Sequence, residues 1–134
     1  MATILAHIKV KPGKEQAFEG IVRALFAQSH ANEEALLRYE YWRGQEPGQY
    51  YTLLSFFDYN GFLAHQTSPH HEAALGGLTE TIADIRLEWL DPVAHASPLP
   101  ETARQALAED ASALAKSYAK MFPLALAGWW AALK

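Results

Sequence analysis

The sequence contains no cysteine, which excludes a disulfide framework, a thiolate metal site and a cysteine nucleophile. Long apolar runs are also missing. The most hydrophobic stretch, residues 122–133, falls short of the roughly 20 residues a bilayer span needs, and Pro123 and Gly128 interrupt it. Positive charge is sparse: 11 Lys and Arg stand against 15 Asp and Glu, for a net charge of −4. The basic residues are scattered, so no phosphate-binding surface is expected and nucleic acid is not a partner. No basic leader precedes the first apolar stretch, so no signal peptide is expected, and the chain reads as soluble and cytoplasmic with no membrane association. Glycine-rich phosphate loops, nucleotide fingerprints and Ser–His–Asp signatures are absent too.

What remains is a chain of 134 residues, half of them hydrophobic and 12% aromatic, enough for one globular core. Residues 3–10 alternate weakly, with Ile4, Ala6, Ile8 and Val10 on one face and Leu5, His7 and Lys9 on the other. Both faces are largely apolar, as in a strand covered on two sides. After Pro12-Gly13, the spacing of Phe18, Ile21, Val22 and Leu25 predicts an amphipathic helix over 14–29, followed by a polar loop over 31–34. Residues 36–43 and 50–57 read as strands joined by a turn at 44–48 that is longer than the two-residue kind. A short helix follows over 58–66. Ser68 can cap a second one, with Pro69 at its first position and Leu75, Leu78 and Ile82 facing inward. Residues 85–90 alternate as a last strand.

The order strand, helix, strand, strand, helix, strand is the ferredoxin-like split βαβ arrangement, an α+β fold with an antiparallel sheet. The two strands apolar on both faces are the first and third, which that fold places centrally. One such unit covers a single sheet face with helices, so a second copy is expected on the other, giving a dimeric α+β barrel. This unit occupies residues 1–94. Residues 95–134 form an extension: a linker over 95–100, an Ala-rich helix over 101–120, and an apolar tail with Trp129 and Trp130. The tail is expected to pack on the domain or on a neighbouring subunit, where it could build a higher oligomer.

Three histidines fall within seven residues beside this sheet. His65 lies on the short helix. It is either a hydrogen-bonded tie between segments or a general base, since imidazole titrates near neutrality. His70 and His71 open the capped helix, where the positive end of the helix dipole favours neutral imidazole. Successive helical residues diverge by about 100°, so one of the two, His70, is expected to face a pocket and His71 to be solvated. His7 is expected either in that pocket or at a subunit interface. Tyr39, Tyr51, Phe56 and Phe62 are core residues or pocket walls. A metal site from these histidines is not expected, because a proline break replaces the i, i+4 spacing of helical ligand pairs.

Three segments, KPGK within residues 8–14, LRYE at 37–40 and AHQTSPHHEA at 64–73, resemble the antibiotic-biosynthesis monooxygenase domain family over residues 2–92. The resemblance implies a homodimer with a pocket between sheet and helices in each subunit. It also implies activities that include metal- and flavin-free oxygenation of phenolic or quinol substrates, haem degradation, and processing of a phosphorylated signalling metabolite. Leu54, Ser55 and Phe56 stand where the family often has a carboxylate pair followed by Trp, which argues against haem degradation. At His7 relatives often carry Glu. The resulting expectation is a cofactor-independent monooxygenase acting on a small aromatic and O2, with His65 or His70 as base. The alternatives are an isomerase or lyase acting on a small polar signalling metabolite, phosphorylated or not, or a non-catalytic small-molecule-binding module.

Overall fold

The computed structural model describes residues 1–134. Its elements run β1 (Ala2–Val10), α1 (Glu15–Asn32), β2 (Leu36–Arg43), β3 (Gln49–Phe56), α2 (Tyr59–Gln66), α3 (Pro69–Thr81), β4 (Ile82–Leu90), α4 (Ala113–Met121) and α5 (Gly128–Ala131). The four strands form one sheet in the order β2-β3-β1-β4, and every neighbouring pair is antiparallel. This is the ferredoxin-like arrangement, with the two most apolar strands in the centre.

Register fixes what each face carries, because strand side chains alternate. Ile4, Ala6 and Ile8 stand opposite Leu54, Thr52 and Tyr50 of β3, and opposite Trp89, Leu87 and Ile85 of β4. These residues share the helix-covered face with Tyr39 and Tyr41. Thr3, Leu5 and His7 point the other way, beside Ser55, Leu53 and Tyr51. No helix covers that second face.

Gly13, at φ +82°, turns the chain into α1, a conformation that glycine adopts without the steric cost of a Cβ. Phe18, Val22, Leu25 and Ser29 form the buried stripe of that helix. The helix runs to Asn32 rather than stopping at Ser29 as the polar sequence suggested. The Asn32 amide donates to the Gln28 carbonyl at 2.8 Å, and the Glu33 N–H donates to the Ser29 carbonyl at 3.0 Å. Last-turn carbonyls that would otherwise lack partners are thereby satisfied. Glu33 becomes the C-cap instead of a loop residue.

Two further expectations are corrected. Ile82 is the first residue of β4, not an inward position of α3: Thr81 ends the helix and Ile82 pairs directly with Val10. The Ala-rich segment 101–112 is not helical, and the helix is confined to Ala113–Met121 behind an N-cap at Ser112. Alanine's helix propensity is outweighed by side-chain bonds from the domain to this backbone. Asn60 donates to the Ala106 carbonyl and accepts from Ala108 N–H, and the Asp91 carboxylate accepts from Thr102 N–H. Ala103 N–H reaches the Met1 carbonyl at 3.0 Å. The segment thus lies along its own domain. Beyond it, the Tyr59 hydroxyl donates to the Phe122 carbonyl and the Trp89 indole to the Pro123 carbonyl, both at 2.9 Å. No helix is long and apolar enough to cross a membrane.

The Asn60 clamp gives a test. Asn60→Ala removes two bonds to the extension and is expected to lower stability by about 1–2 kcal/mol, read as a lower urea midpoint. An unchanged midpoint would mean that the Asn60 bonds contribute nothing to holding the extension.

Candidate active site

Sequence-remote residues meet where the C-terminus of α1, the body of α2 and the first turn of α3 converge. Asp58 caps α2 by accepting from Gly61 N–H at 2.7 Å, and Ser68 caps α3 by accepting from His71 N–H at 3.3 Å. Gly61 permits the close approach, since an added Cβ would stand 2.8 Å from the Ala35 Cβ. These constraints present His65 and His70 to one carboxylate. His65 Nδ1 lies 2.9 Å from both oxygens of Glu33, and His70 Nε2 lies 2.6 Å from Oε1. Ser29 Oγ stands 3.3 Å from His70 Nε2.

Burial alone would raise the Glu33 carboxyl. Hydrogen bonds from His65, His70 and Ser29, with the electrostatic attraction of His65, outweigh it and hold the group below its ordinary value. An ionised carboxylate only accepts hydrogen bonds. His65 therefore carries its proton on Nδ1 and His70 on Nε2, which leaves His65 Nε2 and His70 Nδ1 as the basic nitrogens. His65 is 2% exposed. Its ring is boxed by Tyr39, Phe56 and His71 at centroid distances of 5.0, 5.3 and 5.1 Å.

Two cavities meet here. An open, polar cleft of about 800 Å³ is lined by Glu33, His65, His70 and Ser68, together with Gln28 and Asn32. An apolar slot of about 410 Å³ runs between α1 and α3, walled by Ile21, Leu25, Ala73 and Ala74. His70 and Gln28 line both. No Lys or Arg lines either one. No group of three or more His, Cys, Asp or Glu is arranged to hold a metal ion.

The residues singled out from sequence thus separate. His65 and His70 come together. Tyr39, Phe56 and Phe62 are fully buried in the core, where Tyr39 and Phe56 wall the His65 ring. Phe62 packs at 5.9 Å from Phe56 and 5.4 Å from Trp89. His7 and Tyr51 do not reach this place. They lie on the uncovered sheet face, 5.6 Å apart by ring centroids, with His7 Nε2 on Glu88 at 2.8 Å. The strand period of two sends them there.

His71 corrects the sequence reading in the other direction. It is not solvated: its ring is wedged between His65 and Tyr118, and its Nδ1 is buried without a partner. Burial, then the proximity of His65, push its pKa down to about 4. Glu33 was missed because it sits in a polar run that reads as a loop. A signal for it did exist, since an acidic residue directly after an amphipathic helix can meet whatever the next layer buries.

This arrangement defines a class: a ferredoxin-like α+β domain whose one helix-covered face holds a carboxylate-bridged histidine pair beside a cleft. The family model for antibiotic biosynthesis monooxygenases matches residues 1–76, and the chain belongs to that family. A Caulobacter crescentus protein described as an antibiotic biosynthesis monooxygenase is 30% identical, with 69% of this chain and 89% of that one covered at a TM-score of 0.65. The Pseudomonas aeruginosa protein PA3566 is 24% identical over 69% and 94% of the two chains, at 0.64. A Nitrosomonas europaea protein is 17% identical over 69% and 99%, at 0.65. The last two speak to fold alone. No curated protein matches. Family membership supports a general monooxygenase-like role.

The buried histidine has a pH signature. In the unfolded chain His71 takes up a proton near its ordinary 6.5, whereas in the folded state it does so only near 4. Its contribution is complete above pH 6.5 and is lost as pH falls from there to about 4, a change of about 3 kcal/mol. Glu33, held low, adds stability above its ordinary 4.5 that is lost on further acidification. Unfolding free energy is therefore expected to fall from pH 6.5 downward, and His71→Asn to flatten the upper part of that slope. Parallel profiles for the two proteins would refute the assignment to His71.

Proposed function

We propose that the protein is a cofactor-independent monooxygenase that deprotonates a small phenolic, quinol or anthrone-type aromatic at the Glu33–His70 pair and lets it react with O2. The supporting observation is the position of His70, whose ring is held by Glu33 and lines both the polar cleft and the apolar slot. A ring lying in the slot would bring its acidic group to that imidazole. Glu33 favours the imidazolium that results, as a carboxylate does for any histidine base it orients. His65, enclosed behind Glu33, acts as the second proton-bearing partner that keeps the carboxylate ionised.

For an anthrone-type CH2, the chemistry balances without a further reductant. His70 takes one proton, and the enolate gives one electron to O2. The radical pair then joins in a carbon–oxygen bond, and His70 returns its proton to the peroxide to give the hydroperoxide. Loss of water leaves a ketone, so one oxygen atom enters the product and the other leaves as water. The radical pair would form against the apolar walls of the slot, Ile21, Leu25 and Ala74.

The reading includes a homodimer formed through the uncovered sheet face. Leu5, Leu53 and Tyr51 are only half-buried there and Trp42 is 59% exposed, an apolar surface that a second copy would cover. In that reading His7 and Tyr51 belong to the interface side of the sheet. A phosphorylated substrate finds no support, since the cleft holds Glu33 and Glu34 and no cation where a phosphate would need Arg or Lys.

Oxygen uptake with a panel of quinols and anthrones is the test. The expected result is uptake above the uncatalysed rate, reduced by a factor of roughly 100 or more in His70→Ala. Unchanged turnover in His70→Ala, or no uptake with any member of the panel, would overturn the proposal.

A further inference from the structure

The family model ends at residue 76, yet a residue far beyond it stands against the histidine cluster. Tyr118 of α4 is 8% exposed and belongs to the hydrophobic core. Its ring meets His71 edge-on, with centroids 6.3 Å apart. Its hydroxyl donates to Glu72 Oε1 at 2.7 Å. The contacts form a series: Tyr118 on His71, His71 on His65, His65 on Glu33, Glu33 on His70. The cleft opens on the His70 side of this series, while Tyr118 closes the far side.

We propose that Tyr118 is a positioning residue of the histidine site, supplied by the C-terminal segment. Its ring seals His71 from water, and its hydroxyl, through Glu72, pins the first turn of α3 that carries His70. The reading rests on the histidine cluster being the functional site.

The alternative roles for Tyr118 are weaker on the same observations. A purely space-filling residue needs no hydroxyl partner, and a buried hydroxyl is costly unless it is paired. The hydroxyl here is paired to a carboxylate on the turn that matters. The ring, for its part, covers an imidazole whose Nδ1 is buried and has no hydrogen-bond partner in the protein. Such an imidazole stays neutral only while water is kept away.

The charged and titratable groups around His71 are few. They are His65 on α2, Glu33 at the end of α1, His70 and Glu72 on α3, and Tyr118 itself. Lys116 and Lys120 of α4 are exposed and lie off the Tyr118 stripe. Tyr118 therefore divides the cluster into a dry side and a wet side.

Histidine ring titration by NMR on the full-length protein, with no substrate present, tests this in three variants. In Tyr118→Ala, water gains access to His71, and its midpoint is expected to rise by about one unit or more toward the free-imidazole value. In Tyr118→Phe, the ring remains and the midpoint stays put, while amide exchange at His71 and Glu72 quickens roughly fivefold as the hydroxyl tie is lost. Lys120→Ala changes neither. An acid midpoint retained in Tyr118→Ala, or unaltered exchange in Tyr118→Phe, would overturn the proposal. If Tyr118→Ala does not fold, the exchange measurement in Tyr118→Phe decides alone. Because no turnover is read, failure of the oxygenase reading would leave these outcomes intact.

Discussion

The carboxylate of Glu33 is the point on which the candidate site depends. It stands at the C-cap of α1 and accepts from α2 through His65 and from α3 through His70. A largely buried carboxylate without donors would cost several kcal/mol, so the two imidazole N–H groups are structural requirements as well as chemical resources. The same bonds fix both tautomers. Once Glu33 is ionised, neither ring can turn an unprotonated nitrogen toward it, and the basic nitrogens are directed elsewhere. The helix ends thus determine the protonation pattern.

Around this centre the surroundings are unequal. On one side lies the open cleft, rich in amides and carboxylates. On the other, Tyr39 and Phe56 wall His65 while His71 and Tyr118 back it. The Tyr39 hydroxyl meets that of Tyr41 at 2.6 Å, and burial raises Tyr39 above its ordinary range and Tyr41 to about 12. Both phenols therefore remain neutral, and they shield the imidazoles from charge. The Glu33 carboxylate lies one hydrogen bond from His70, while on the far side burial, then the proximity of His65, hold the His71 pKa down at about 4.

Sheet topology was legible in the sequence because apolar residues on both faces leave a strand without clean alternation, and only the central pair, β1 and β3, lacked it. The facing of His7 was only half legible: the strand period set it opposite to Ile4, Ala6 and Ile8, but not which face the helices cover, so pocket and interface both stayed open for it. Glu33 was not legible, since the polar end of α1 is stabilised by side-chain bonds to its own carbonyls rather than by an apolar period. His71 was misjudged for a related reason. Adjacent helical positions diverge, but at a helix start packed from two directions both can point inward, one toward α1 and the other toward α4. The segment 101–112 misled in the opposite way, its alanines favouring a helix that Asn60, Asp91 and the chain's first residue prevent.

The aromatic residues change meaning once the site is built. Tyr39, Phe56 and Phe62 were candidates for a substrate wall, but they line neither cavity and their rings are spent on one another and on His65. Space for an apolar ligand lies instead between α1 and α3, where Ala73 and Ala74 leave room against Ile21 and Leu25. Small side chains on one helix and branched ones on the other make a slot, and aromatic packing behind His65 makes a rigid base. With these roles divided, the rigidity of the imidazole pair does not depend on a ligand, because the residues that hold it are not those a ligand would displace.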